Sequence, residues 1–271
     1  MGSRRTALAA ALAGLLAGTA GVTPAAPAQA RATAGLTPAR ALAGPTPARA
    51  ATAPLPARAV TGTVVARYAF DGGRSSQIRD DSGHGHTLRL IAGNGGTARP
   101  VPHRSGQALR FPAKCRAGRC PHAALQSPTS ARLNPGTRAI AYGASVLLAP
   151  SQTSKGQNVV QKGYSTTSSQ WKLQIDGVAG RPSCVLVGAR PGIKIVRSAV
   201  SVADGSWHTV ECRRTPTALT VLVDGAVRGT RAISARLSIA NNRPLSIGGK
   251  GAYADNDQFH GILDDVWVRI G

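Results

Sequence analysis

The chain has 271 residues, enough for one large domain or two small ones with a buried core. Its 33 lysines and arginines outnumber 11 acidic residues, so a net charge of +22 favours anionic partners such as nucleic acid, anionic lipid or anionic glycan. The arginines are scattered and only 4% of residues are aromatic, which argues against a dedicated polyanion site and fits a compositional bias equally well.

The first thirty residues have the pattern of an export signal. Arg4 and Arg5 precede an apolar run over 7–22, and an A-x-A cleavage motif follows at 28–30. We therefore predict that residues 1–30 are a signal peptide, exported by the general or the twin-arginine route. No later run approaches the length of a membrane span, so we expect a secreted, extracellular protein.

Residues 31–62 are rich in proline, alanine and arginine. A Pro-Ala-Arg core recurs at positions 38, 47 and 56. Proline at this density removes backbone donors, and the segment offers nothing large enough to bury, so it is predicted to be a disordered, extended linker. The alternative is that its arginines contact an anionic cell envelope.

From Thr63 to Gly271, short β-type runs alternate with turn residues, and no run shows a helical period. The first strand is predicted at Val64–Phe70. Twelve more are predicted at Thr87–Ile91, Ala108–Phe111, Ala139–Leu148, Asn158–Gln161, Trp171–Asp176, Cys184–Gly188, Ile193–Val196, Trp207–Arg213, Ala218–Val223, Ala226–Thr230, Leu245–Ile247 and Ile262–Ile270. The pattern predicts one all-β domain over 63–271, an antiparallel two-sheet sandwich or jelly roll.

The stretch from 204 to 229 contains the clearest hairpin signal. Two strand-like runs, Trp207–Arg213 and Ala218–Val223, are separated by a break around Pro216. Asp224 and Gly225 then supply the two residues that tolerate the positive φ of a two-residue turn. This turn is predicted to set the register with the strand that follows.

Four cysteines in an exported chain indicate disulfide bonds, and three pairings are possible. Cys115 and Cys120 bracket a short loop with a glycine for the bend. Cys184 and Cys212 lie in strand-like runs and would bridge neighbouring strands. We therefore predict the pairs 115–120 and 184–212. A zinc site is disfavoured because no C-x-x-C spacing is present.

Five motifs, in this order, resemble a known family. They are Phe70–Gly72, Asp80–Gly85, Gly106–Phe111, the Trp207-His208 pair leading to Val223–Gly225, and Phe259–Val266. Together they resemble the laminin-G-like, concanavalin A-like jelly-roll domain of secreted actinobacterial proteins, across residues 63–271. The resemblance implies the jelly-roll fold, and a family variant with one cysteine on each side of the Trp-His pair supports joining Cys184 to Cys212. The family is functionally broad, so it does not by itself imply a function.

Enzymes occur on this fold, notably retaining glucanases and polysaccharide lyases. A retaining glycosidase needs two carboxyl groups about 5 Å apart, which jelly-roll glucanases place on one strand as E-x-D-x-x-E. The sole glutamate, Glu211, has no such partners, and the adjacent Asp264 and Asp265 would point to opposite faces of a strand. No H-E-x-x-H or G-x-S-x-G motif is present. The sequence therefore favours a non-catalytic domain.

The resemblance also implies a structural calcium ion. In similar jelly rolls it lies where the first aspartate loop meets the last strand, which points to Asp80, Asp264 and Asp71 with loop carbonyls as ligands. Histidines stand at 84 and 86, where the family often has asparagine, so this loop lacks the side-chain amide oxygens at those positions. The alternative is that the loop aspartates only cap an Asx-type turn.

Candidate ligand contacts combine aromatic rings with polar groups, as sugar sites do. They are Tyr253, Asp255, Asn256, Asp257 and Tyr164, with Trp171 as a further candidate, whereas Trp207 and Trp267 are assigned to the core. We predict a secreted, monomeric, non-catalytic module that binds a glycan or cell-envelope polysaccharide, or acts in adhesion. The alternatives are a glycan-cleaving enzyme on the same fold and electrostatic binding to polyanions.

Overall fold

The computed structural model describes residues 60–72, 77–116, 118–188 and 192–271, which all belong to the unit Thr52–Gly271. The predicted signal peptide and the predicted linker up to residue 59 lie outside these residues. Val60 is buried and Gly62 lies against Gly271, so the last residues of the predicted linker pack onto the domain. Among the described residues, no helix has the length and apolar character needed to cross a membrane.

Sixteen strands make up most of the regular structure in the described residues. They are β1 Thr63–Tyr68, β2 Gln77–Ile78, β3 Leu88–Gly93, β4 Arg99–His103, β5 Gly106–Arg110, β6 His122–Gln126, β7 Ile140–Leu147, β8 Gly156–Tyr164, β9 Ser169–Asp176, β10 Arg181–Gly188, β11 Gly192–Arg197, β12 Trp207–Arg214, β13 Ala218–Val223, β14 Ala226–Ala232, β15 Leu245–Ile247 and β16 Ile262–Ile270. Short 3-10 helices lie at Ala131–Leu133, Pro150–Gln152 and Ser165–Thr167. The sequence misses β2, β4 and β6, because β2 is very short, β4 contains two prolines and β6 contains two alanines.

The strands form two eight-stranded antiparallel sheets. Sheet A has the order β14-β13-β12-β7-β16-β5-β4, with β1 also paired to β16. Sheet B has the order β11-β10-β9-β8-β15-β6-β3-β2. The proline-containing β4 is at an edge of sheet A, where a missing backbone donor breaks no ladder bond. The predicted all-β jelly-roll sandwich is confirmed.

The core lies between the two sheets. Tyr142 of sheet A and Trp171 of sheet B meet there with ring centroids 4.8 Å apart, and both are fully buried. The indole N–H of Trp171 donates to the Leu133 carbonyl at 3.1 Å. Trp171 is therefore a core residue, and the suggestion that it contacts a ligand is wrong.

Strand β16 alternates between the core and the outer face of sheet A. Val266, Val268 and Ile270 are buried, whereas Trp267 and Arg269 are only half-buried. Side chains two apart on a strand share a face, so Trp267 and Arg269 both face outward. The assignment of Trp267 to the core is therefore wrong.

A β-bulge in β16 changes which residues share that outer face. Asp264 pairs with Ser145 of β7, but the next aligned pair is Trp267 with Gly143, so β16 holds one extra residue. The bulge brings Asp264 and Trp267, three residues apart, to the same side of the sheet.

Two disulfide bonds link the predicted pairs of cysteines. Cys184 of β10 and Cys212 of β12 have Cα atoms 5.5 Å apart, and both side chains are fully buried. β10 belongs to sheet B and β12 to sheet A, so this bond joins the two sheets across the core. The expectation that it bridges neighbouring strands is therefore wrong. The second bond, Cys115 to Cys120, closes the short loop before β6 with Cα atoms 5.6 Å apart.

Candidate functional site

The outer face of sheet A carries a groove of about 600 Å³. Its floor crosses three neighbouring strands, where Glu211 of β12 pairs with Gly143 of β7 and Gly143 pairs with Trp267 of β16. Ala141 and Leu222 add small and apolar surface to the same floor. The groove therefore lies over the middle of the sheet, where strand pairing holds its residues in fixed positions.

Trp267 is the only aromatic side chain among the described residues that line this groove, and it depends on a glycine beneath it. A Cβ atom at position 143 would lie 3.1 Å from Cζ2 and 3.2 Å from Cε2 of Trp267. Gly143 thus lets the indole pack directly against β7. Because Trp267 stays half-buried, the rest of its ring faces the groove as an apolar platform.

Charged side chains surround this platform. They are Arg67, Arg104, Arg213, Arg269, Glu211 and Asp265. The arginines outnumber the carboxylates two to one, so the groove carries a net positive charge. Arg213 Nε donates to Glu211 Oε1 at 2.8 Å, and both side chains are largely buried.

The remaining arginines are less tightly held. Asp265 lies 3.9 Å from Arg67 and 3.7 Å from Arg104, and both arginine side chains are more than half exposed. Such long, solvated pairs contribute little energy. The guanidinium of Arg269 makes no hydrogen bond or ion pair with any residue that the structure describes. Among the contacts that the structure describes, the guanidinium groups of Arg67, Arg104 and Arg269 are therefore available to a ligand.

Beside the groove, three side chains form a cluster. The rings of His103 and Trp207 lie 3.9 Å apart and nearly parallel, and His103 Nδ1 lies 2.5 Å from Asp264 Oδ2. Asp264 Oδ1 also accepts the backbone N–H of Asp265 at 2.7 Å. Burial raises the pKa of Asp264 despite these hydrogen bonds. Trp207 is half-buried against His103, so its assignment to the core is also wrong.

The predicted calcium ligand Asp80 is occupied by hydrogen bonds. Oδ1 accepts the backbone N–H groups of Arg67 at 3.1 Å and Ser82 at 3.0 Å, as well as the Ser82 hydroxyl at 2.6 Å, and Oδ2 accepts the His86 N–H at 3.0 Å. Burial alone would favour the neutral carboxyl, but these hydrogen bonds outweigh it and lower the pKa of Asp80. Asp80 thus caps its loop in the manner of an Asx turn.

Each of the three predicted calcium ligands has a hydrogen-bond partner within the protein. Asp80 caps its own loop, Asp264 holds His103, and Asp71 Oδ1 accepts the backbone N–H of Gln107 at 2.8 Å. Calcium needs six to eight converging oxygens. Among the described residues, no group of three acidic, histidine or cysteine side chains is arranged to hold a metal ion.

Three of the predicted ligand contacts line a second, smaller cavity of about 200 Å³ beside the Cys115–Cys120 disulfide. They are Asp255, Asn256 and Asp257, and His122 lines the same cavity. Asn256 is 1% exposed, and its Oδ1, like His122 Nδ1, has no hydrogen-bond partner in the described part of the chain.

The two aspartates of this cavity are engaged in ion pairs. Asp257 Oδ2 lies 2.7 Å from Lys172 Nζ and 3.3 Å from Lys250 Nζ. Asp255 lies 3.1 Å from Lys155, and both of these side chains are exposed. Asp257 therefore fastens its loop to sheet B, a role that competes with ligand binding.

The predicted tyrosine contacts, Tyr164 and Tyr253, form a separate surface patch. Tyr253 is 49% exposed, and burial together with the neighbouring Tyr164 raises the pKa of Tyr253 to about 12. The Tyr164 hydroxyl donates to the Lys250 carbonyl at 3.4 Å, and the Arg243 guanidinium lies 5.5 Å from its ring centroid. Neither tyrosine lines the groove on sheet A or the smaller cavity.

Sequence reasoning missed the groove, although one signal was available. In Asp265–Ile270, the valines and the isoleucine alternate with an aspartate, a tryptophan and an arginine. A period of two with apolar residues on one side places Trp267 and Arg269 on the other side. The pairing of Trp267 with Gly143 has no local signal, because it depends on strands far apart in the sequence.

Comparison with known proteins places this domain in a family. Residues 122–269, more than half of the chain, match the family described as the concanavalin A-like lectin/glucanases superfamily. The chain belongs to this superfamily. The matched segment runs from β6 to the penultimate residue of β16, so it includes Glu211, Gly143 and Trp267 of the groove. Comparison with curated proteins finds no match.

Several solved structures share the fold at low sequence identity. Domain 4 of AbnA, a GH43 extracellular arabinanase from Geobacillus stearothermophilus, solved with arabinotriose, is 16% identical with a TM-score of 0.59; the match covers 78% of this chain and 93% of that domain. The binding domain of Paraclostridial Mosquitocidal Protein 1 is 13% identical, with a TM-score of 0.54 and 76% of this chain covered. The binding domain of botulinum neurotoxin DC, in complex with SialylT, is 9% identical with a TM-score of 0.54 and again covers 76% of this chain. The matches span about half (48%) of each toxin domain.

Proposed function

We propose that this domain is a secreted, non-catalytic carbohydrate-binding module whose sugar lies in the groove on the outer face of sheet A. The observation that carries the proposal is Trp267, packed on Gly143 at the floor of a groove of about 600 Å³. Such a volume suits a small ligand. An aromatic face with charged hydrogen-bonding groups at its margins matches the apolar faces and hydroxyl edges of a sugar ring.

The solved relatives support a binding role. AbnA domain 4 was solved with arabinotriose, and the botulinum neurotoxin DC binding domain was solved with SialylT. Two disulfide bonds and the predicted signal peptide support secretion. These solved structures resemble this chain in fold only, so the proposed site is argued from the groove residues of this chain.

The test is a glycan-array screen of the mature protein followed by calorimetry on each hit. We expect Trp267→Ala to weaken binding at least tenfold, because it removes the platform. Tyr253→Ala is the matched control, an exposed aromatic residue outside the groove, and should bind like the wild type. Loss of binding in Tyr253→Ala but not in Trp267→Ala would move the site to the loop predicted from the sequence. Chelator should leave binding unchanged, because Asp80, Asp264 and Asp71 are each engaged by a protein group.

A second candidate function, glycan cleavage, is favoured by one observation. Glu211 and Asp265 line the same groove, so two carboxylates face the proposed sugar even though they do not form the E-x-D-x-x-E motif. Retaining and inverting glycosidases both use such a pair. The bound glycans should be incubated with the protein and assayed for new reducing ends. Product that disappears in Glu211→Gln would establish an enzyme, whereas binding without product supports the module.

A further inference from the structure

We propose that the groove selects acidic glycans, and that Arg269 binds the anionic group of the sugar next to the Trp267 platform. This inference rests on the proposed function and narrows its ligand class. The first observation is the charge of the groove, where four arginines face two carboxylates around a single indole. A ligand that supplies negative charge would balance this excess; a neutral sugar would leave it uncompensated.

The second observation is how unequally these charges are satisfied. Arg213 is committed to Glu211 at 2.8 Å, and Asp265 is shared loosely between Arg67 and Arg104. The Arg269 guanidinium has no such partner among the described residues. A guanidinium offers five donors in a planar fork that fits a carboxylate or a sulfate with two parallel hydrogen bonds.

The third observation is the placing of Arg269 relative to the platform. Arg269 and Trp267 are two residues apart on the same face of β16, a separation of about 7 Å along the strand. Arg269 pairs with Ala141, whose small side chain leaves the guanidinium free to reach over the floor of the groove. A sugar ring stacked on the indole would therefore bring a carboxylate or sulfate within reach of Arg269.

This specific contact differs from the general attraction of a cationic protein. The net charge of +22 draws any polyanion at long range, and that attraction weakens steeply with salt. Charge-assisted hydrogen bonds in a partly enclosed groove are screened less. Selectivity that persists at physiological salt and depends on one arginine would mark the specific site.

The experiment compares matched ligands on the mature protein at about 0.15 M salt. The probes are oligogalacturonate, its fully methyl-esterified form, and a sulfated galactan without carboxylates. We expect at least one acidic probe to bind at least tenfold more tightly than the neutral ester. Arg269→Gln should remove most of that preference while leaving affinity for the ester unchanged. Arg228→Gln, an exposed arginine of β14 outside the groove, is the charge-matched control and should behave like the wild type.

The possible results separate this inference from the proposed function. Equal binding of acid and ester, lost in Trp267→Ala, would overturn acidic selectivity and keep the carbohydrate-binding module. Acidic binding that Arg269→Gln and Arg228→Gln reduce equally would mean diffuse electrostatics and would also overturn the inference. No binding of any probe or array glycan would overturn both. A preference for the sulfated probe or for the carboxylated probe would support the inference and identify the anionic group.

Discussion

A lysine side chain is fully buried on the core side of sheet B. Lys162 of β8 faces inward, opposite Leu245 and Trp171. Its ammonium donates to the carbonyl of Asn241 at 2.6 Å and to Oδ1 of Asn241 at 3.1 Å. Burial lowers the pKa of Lys162 from 10.5 to about 8. The two Asn241 oxygens thus accept hydrogen bonds from the Lys162 ammonium, while burial favours the neutral amine.

Replacing Lys162 tests this account through pH. Between about 8 and 10.5 the unfolded chain binds more protons at this lysine than the folded chain does, so this group makes the wild type more stable as the pH rises. Lys162→Met cannot gain this stabilisation. We therefore expect the difference in unfolding free energy, wild type minus variant, to increase from pH 7 to pH 9.5 in urea titrations. A flat difference for Lys162→Met would contradict the lowered pKa.

At the scale of single residues, the sequence predicted chemistry better than position. It identified the cysteine pairs and the turn residues, because those depend on residue type and short spacing. The sequence assigned Trp267 to the core and Trp171 to a possible ligand contact, whereas the structure shows Trp171 buried and Trp267 facing outward. A buried and an outward-facing tryptophan cannot be told apart without knowing which face of the sheet each occupies. It also chose Asp80 as a metal ligand, whereas three backbone N–H groups and a hydroxyl use that carboxylate.

At the scale of elements, β12 pairs with β13 and β13 pairs with β14, as the hairpin signal predicted. Asp224 and Gly225 have φ values of 52° and 75°, and Val223 pairs with Ala226 across the two-residue turn between β13 and β14. The turn aspartate has a second role, because its Oδ2 lies 2.7 Å from His208 Nδ1 of β12. Asp204 lies 3.1 Å from the other ring nitrogen of His208.

This histidine makes the hairpin sensitive to pH. Partial burial disfavours the charged ring, but the hydrogen bonds to Asp224 and Asp204 outweigh it and raise the pKa of His208 above 6.5. The resulting stabilisation is complete below about 6.5 and is lost as the pH rises through the folded pKa. We expect His208→Gln to lose more stability at pH 5 than at pH 8.5, measured by urea unfolding. An equal loss at both values would show that the ring acts without its charge.

The bulge in β16 shows what element prediction cannot supply. The sequence predicted β16 at its observed bounds, yet gave no sign of the extra residue between Asp264 and Trp267. That residue is defined only by the pairing of β16 with β7, more than a hundred positions away. The bulge brings Asp264 to the same side of the sheet as Trp267, and this placement could not be predicted from the strand alone.

At the scale of the whole molecule, the Cys184–Cys212 bond ties sheet A to sheet B. It closes a loop of 28 residues, so its removal should cost about 3–4 kcal/mol of unfolding free energy through the entropy of the unfolded chain. The Cys115–Cys120 bond closes a loop of only 5 residues, so its removal should cost about 2 kcal/mol of unfolding free energy. Urea unfolding of Cys184→Ala/Cys212→Ala and of Cys115→Ser/Cys120→Ser tests this order. A larger loss in the second variant would contradict it.

The contact between Gly62 and Gly271 has a mechanical consequence. Strands β1 and β16 are antiparallel, with Thr63 opposite Ile270, so both strand ends leave the sheet at the same corner. Tension applied between residues 62 and 271 would load the ladder one hydrogen-bonded pair at a time, and the strands would unzip rather than shear. Val64 and Arg67 of β1 line the groove together with Trp267 and Arg269 of β16. Under such tension β1 would separate from β16 and disrupt the groove before the disulfide-linked core unfolded. A bound ligand would then be released while most of the domain was still folded.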